Sequence, residues 1–180
     1  MIAFTEAPLP GAYLVDLVPS RDVRGFFARS YSPQEFAAHG VAAELRECSV
    51  SYNERKATLR GLHYQLAPHE EHKLVRCTAG AIFDVIVDLR TSSSHYRRWY
   101  GAELNAENRR ALFVPPGFAH GFITLTDHTE VLYMISAAHS PAHARGARWN
   151  DPSFGIEWPL QPQVIAPRDA EYPLLGTAGA

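Results

Sequence analysis

The chain has 180 residues, 46% hydrophobic, 20% charged and 11% aromatic, which supplies a core for one domain (1–180) and excludes a disordered tail. Its formal net charge is −2, so no global field draws it onto nucleic acid or an anionic membrane. Only Lys56 and Lys73 are lysines; every other basic residue is an arginine, the side chain suited to a planar, bidentate grip on phosphate or carboxylate. In chain order, short runs with strand character occupy 13–18 and 25–31. A helix follows: Ser32-Pro33-Gln34-Glu35 combines an N-cap, a proline at the first helical position and a glutamate placed to close a capping box, and Gly40 stops it. Further strand-like runs occupy 58–66, 73–78, 81–89, 99–104, 111–114, 120–125 and 130–136. Within 81–89, Phe83, Val85, Val87 and Leu89 fall on one face and Ile82, Asp84, Ile86 and Asp88 on the other, a period of two. Turn chemistry separates many of the runs, at Gly80, Pro115-Pro116-Gly117 and Thr126-Asp127-His128. Many short strands at this spacing predict an all-β antiparallel sandwich or barrel with few short helices. The proline-rich tail from Asp151 is expected to wrap that barrel, with 176–180 frayed.

Cys48 and Cys77 fit neither a C-x-x-C nor a zinc spacing, which reads as a reduced, intracellular chain with incidental thiols. The N-terminus lacks the basic-then-apolar order of a signal peptide, and no apolar run reaches the ~18 residues of a membrane span. A soluble, cytoplasmic protein is expected. No G-x-G-x-x-G after a strand and no P-loop is present, so the phosphate sites those motifs build are not signalled.

Two clusters could carry chemistry. In Thr58-Leu59-Arg60-Gly61-Leu62-His63-Tyr64-Gln65, a strand would place Leu59, Gly61, His63 and Gln65 on one face. A glycine there suggests a bulge or the close approach of a ligand. In Pro115-Pro116-Gly117-Phe118-Ala119-His120-Gly121-Phe122 a tight turn feeds a histidine at a strand start, the P-x-G-x-x-H element of cupin barrels. Metal-binding cupins add an H-x-H pair and a glutamate, but here the first cluster ends His63-Tyr64-Gln65. His69, Glu70, Glu71 and His72 could substitute as ligands; their plain reading is a solvated turn. Tyr133 shares a strand face with Val131 and Ile135 and on its own reads as a core tyrosine, while Asp169 alone reads as a surface aspartate.

Taken together the motifs resemble the dTDP-4-dehydrorhamnose 3,5-epimerase family of nucleotide-sugar epimerases. The landmarks are Asp22-Val23-Arg24-Gly25-Phe26-Phe27, the 59–65 cluster, Asp84-Val85-Ile86-Val87-Asp88-Leu89-Arg90, the 114–122 cluster and Gly146-Ala147-Arg148-Trp149-Asn150-Asp151-Pro152. The resemblance implies a cupin-type jelly roll, dimeric, using no metal or organic cofactor and acting on a nucleoside-diphosphate 4-keto-6-deoxyhexose. It implies His63 as general base, Asp169 as the carboxylate holding its imidazole, Tyr133 as the acid on the opposite face, and Lys73 near the keto oxygen. Arg24, Arg60 and His120 would bind phosphates and sugar, with Glu47, Ser49, Gln65, His139 and Arg168 completing the substrate-binding set.

The chemistry itself needs such groups. Removing a proton beside a ketone leaves an enolate, and one donor aimed at its oxygen can be worth ~3–4 kcal/mol. A histidine held by a carboxylate suits the base, and a phenol can reprotonate from the other side. The chain departs from the family pattern at the periphery: Arg29 replaces a glutamate, Glu47 and Ser49 replace glutamine and asparagine, and His139 replaces a stacking tyrosine. Ala138, Ala144 and Arg168 stand for an aromatic, a glutamate and a lysine. Alternatives are inversion at carbon 3 or 5 only on a CDP- or GDP-linked sugar, a metal-dependent cupin enzyme, and a catalytically silent sugar-binding cupin.

Overall fold

The computed structural model describes residues 1–41 and 44–175; the expectation for 176–180 lies outside them. In chain order the strands and helices are β1 (Ile2–Glu6), β2 (Tyr13–Leu17), β3 (Ser20–Asp22), β4 (Gly25–Phe27), α1 (Pro33–Ala37), β5 (Glu47–Asn53), β6 (Thr58–Gln65) and β7 (Lys73–Ala79). They continue with β8 (Ala81–Asp88), β9 (Trp99–Asn105), β10 (Ala111–Val114), β11 (Phe118–Thr124), β12 (Thr129–Ile135), β13 (Ala144–Gly146), β14 (Val164–Ile165) and α2 (Pro167–Ala170). One sheet runs β1-β2-β10-β7-β12-β5 and the second β13-β6-β11-β8-β9, with β14 added beside β6 and β3-β4 forming a separate hairpin. Every pairing is antiparallel except β14 with β6. This is the cupin-type jelly roll the sequence pointed to.

The two sheets face each other over Val75, Cys77, Ile82, Ile86, Leu104, Leu112, Phe118, Phe122 and Val131. Strand β8 explains the packing. Ile82 and Ile86 point into that core with Asp84 between them, while Val85 and Val87 point outward against Ala147 and Phe154. Helix α1 covers the outer face of the first sheet: Phe36 packs against Phe4 and Phe113 in edge-to-face geometry, beside Val15 and Leu74. Ser32 caps it by accepting from the Glu35 amide at 3.4 Å. The Glu35 carboxylate serves other partners, taking the Ile2 amide at 2.6 Å and pairing with Arg29 at 3.0 Å. The tail packs Phe154, Ile156 and Trp158 over the second sheet and contributes the two-residue strand β14 and the short helix α2.

Candidate active site

On β6 the regular alternation fails where the site begins. His120 of β11 pairs with His63 and Phe122 with Arg60, so two steps on β11 span three on β6, a one-residue bulge. Gly61 sits at φ +125°, and a Cβ on it would lie 2.6 Å from the Cα of Gly121. Two glycines thus let the strands close at this point. The bulge turns Arg60 and His63 to the same side, into a pocket, while Leu59 and Leu62 pack outward in separate clusters. The expectation that Leu59, Gly61, His63 and Gln65 share a face is therefore corrected, because one inserted residue shifts the phase of the pleat. The close approach at Gly61 is made by a neighbouring strand.

The pocket, about 240 Å³, opens at one end of the barrel and is lined by Glu47, Ser49, Arg60, His63, Glu71, Lys73, His120, Tyr133 and His139, among others. Ile135 of β12 pairs with Glu47 and Lys73, and Tyr133 pairs with Ser49 and Val75, so the first sheet presents these residues in two adjoining rows. His63 and His120 come from the opposite sheet.

Behind His63, β14 docks alongside Thr58 and Leu59 and α2 brings in Asp169, which is buried. One carboxylate oxygen lies 2.8 Å from His63 Nε2, and the other accepts the Gly61 amide at 3.0 Å. Burial pushes the Asp169 carboxyl up, but the hydrogen bonds from His63 and Gly61 and the charges of His63 and Arg168 outweigh it and hold it below the usual carboxylate range. An ionised carboxylate accepts only, so Nε2 carries a proton, and in the neutral ring the lone pair is on Nδ1.

Lys73 is 9% exposed and gives one N–H to Glu71 at 2.9 Å and another to the His63 carbonyl at 3.2 Å. His120 Nε2 is 2.7 Å from Asp84 Oδ1, both buried, and Asp84 Oδ2 has no partner among the described residues. The Tyr133 ring meets His120 edge-on at 5.9 Å. Burial, reinforced by the Asp84 charge and partly offset by Arg60, pushes the Tyr133 phenol far up, so it holds its proton as a donor at neutral pH. Arg60 is oriented by Asn53, whose Oδ1 accepts from Nε at 2.7 Å, and by the Tyr52 carbonyl.

Eight of the expected residues therefore converge on the pocket, and Asp169 supports one of them from behind. Gln65, Arg168 and Arg24 do not line it. Gln65 is buried behind the wall, donating to Glu71 and to the carbonyls of His69 and Ala138. Arg168 is largely exposed, 3.6 Å from Asp169. Arg24 pairs with Asp22 on the exposed β3–β4 hairpin.

Asp84 and Asn53 were missed as site components, and Glu71 was weighed only as a metal ligand. Asp84 was legible as one of two charges, with Asp88, on an otherwise apolar strand face. Nothing in the sequence separates Glu71 from the exposed Glu70. His69 stacks near His143 and His72 against Phe113, and among the described residues no three His, Cys, Asp or Glu side chains converge as a metal-ligand set. Nor, among those residues, is any helix long and apolar enough to cross a membrane.

Comparison with known proteins matches residues 6–177 to the family model described as dTDP-4-dehydrorhamnose 3,5-epimerase. A protein of that name from Sinorhizobium fredii is 43% identical over 155 residues, covering 86% of this chain and 80% of its own. The Bacillus anthracis enzyme of that name, solved with TDP and pyrophosphate, superposes with a TM-score of 0.93 at 39% identity over 97% of this chain and 100% of its own. A dTDP-6-deoxy-D-glucose-3,5-epimerase from Legionella pneumophila, solved with dTDP-4-keto-L-rhamnose, gives 0.92 at 31% identity over 99% and 95%. Fold and relatives together define a class, the jelly-roll isomerases of nucleotide sugars. Within it, the chain belongs to the dTDP-4-dehydrorhamnose 3,5-epimerase family.

Proposed function

We propose that the chain epimerises a dTDP-linked 4-keto-6-deoxyhexose at carbon 3, carbon 5 or both, by proton removal to an enolate and reprotonation from the opposite side. The observation that carries this reading is the opposition of His63, tethered by Asp169, to the phenol of Tyr133 on the facing sheet. His63 Nδ1 takes the proton beside the ketone. The free N–H of Lys73 stabilises the enolate oxygen, a contribution of the size of one oxyanion donor, ~3–4 kcal/mol. Tyr133, protonated at neutral pH, delivers a proton to the other face of the planar enolate. Arg60 and His120 bind the anionic and hydroxyl groups of the substrate, and Glu47, Ser49 and His139 line its nucleoside end. The thymidine nucleotide is favoured because the relatives described above carry it in their names.

A homodimer fits the surface. The edge strand β5 exposes Val50 and Tyr52, and the β3–β4 hairpin holds Phe27 and Arg24 in solvent. A sheet edge and a hairpin with an exposed phenylalanine suit pairing with a second copy. Sedimentation velocity of the full chain tests this, and a monomer at micromolar concentration would refute it.

The central test is incubation with dTDP-4-keto-6-deoxyglucose in deuterated water. NMR should find deuterium at carbon 3, carbon 5 or both, together with inverted product. Exchange elsewhere, or none, overturns the reading.

A further inference from the structure

We infer that Glu71 is a positioning residue for Lys73, set in place by Gln65; the inference rests on the epimerase reading of the pocket. Gln65 is fixed at both ends of its amide. Its oxygen accepts the Ser140 amide at 2.6 Å, and its nitrogen serves the His69 and Ala138 carbonyls and Glu71 Oε2 at 2.8 Å. Glu71 Oε1 receives Lys73 Nζ at 2.9 Å. Both oxygens of Glu71 therefore face donors, a role that a carboxylate fills and an amide fills only by half.

Lys73 spends a second N–H on the His63 carbonyl at 3.2 Å. Its third N–H is left for the pocket, and its direction is set by the other two. The side chains of Lys73 and Glu71 are 9% and 11% exposed, so the pair is held in place with little competition from water. The relay also ties the lysine to the strand that carries the base, through the backbone of His63 itself. A surface ion pair of solvated charges would have neither feature.

The composition offers a direct test, because the chain has two lysines and the other, Lys56, is exposed. In ¹⁵N-labelled wild-type protein, side-chain ammonium spectra should show one slowly exchanging signal, from Lys73. Glu71→Ala should lose that signal and lower kcat about 30-fold while KM stays within about threefold, as expected for a misplaced group that acts in the transition state. Glu71→Gln leaves one acceptor and should recover part of the rate, giving a kcat loss of about three- to tenfold. A protected Lys73 signal in Glu71→Ala, a kcat within twofold of wild type, or a rise in KM alone overturns the inference. If Glu71→Ala does not fold, the Gln variant decides by the same two readouts. A wild-type enzyme with no epimerase activity refutes the functional reading instead, and the ammonium spectra still judge the relay.

Discussion

Asp169→Asn is the sharpest probe of the base. The new side chain fits, since it differs from the carboxylate by one NH₂ in place of an oxygen. Its oxygen is expected to keep the Gly61 amide, now at 3.0 Å, which leaves the NH₂ facing His63 Nε2 across 2.8 Å. Two donors cannot share that contact, so the imidazole must move its proton to Nδ1 and lose the lone pair that takes the substrate proton. The same inversion in a serine-protease triad lowers kcat about 10⁴-fold. His63 is about one-third exposed and has water as an alternative partner, so a loss of about 10²–10⁴-fold, ~3–5 kcal/mol, is expected here.

Stability should respond as well. The folded-state carboxyl of Asp169 lies below its unfolded value, so its contribution is present above about pH 4 and disappears as pH falls through the folded value. Thermal melts should show wild type above the variant at pH 7 and the difference closing below about pH 4. The rate assay is deuterium incorporation and inversion followed by NMR. A variant within threefold of wild-type rate at pH 7 would refute the tautomer argument.

Other perturbations separate chemistry from scaffold. Tyr133→Phe should keep solvent exchange while net inversion falls, and equal loss of both by NMR would move Tyr133 out of the acid role. Gly121→Ala would put a Cβ 2.6 Å from the Arg60 carbonyl oxygen, so denaturant melts should show a loss of about 1–3 kcal/mol or more and a rate loss from displaced Arg60 and His63. Phe36→Ala empties a site 1% exposed under α1, so stability should fall ~3–5 kcal/mol while the folded variant keeps its kcat, the pocket being on the other side of the sheet.

The helix start at Ser32-Pro33 and the pleat of β8 were legible because each is set by local chemistry: a cap with a fixed φ, and a strand with one face in each of two cores. Strand β5 was not foreseen, since its inward positions Glu47, Ser49, Ser51 and Asn53 are polar while Val50 and Tyr52 face outward. The functional pocket inverts the usual pattern there, and a periodicity rule looks for the reverse. The phase change at Gly61 escaped for a related reason, because a bulge is a property of two strands and appears in neither alone. His63 and His120 stood out through their motifs, whereas Lys73 and Tyr133 came only from the family resemblance. The role of Glu71 stayed hidden, since it comes from its contacts with Gln65 and Lys73, which the sequence does not show.

The carboxylate behind the base sits 106 positions further along the chain, on a two-residue strand and a single helical turn added after the last barrel strand. The barrel core is complete without it. A chain clipped before that segment keeps the strands that carry His63, Lys73 and Tyr133 but loses the carboxylate that orients the imidazole, so its deuterium-exchange rate is expected to fall while its thermal melt persists. The orientation of His63 is thus set by a tail docked beside β6 and not by the barrel itself.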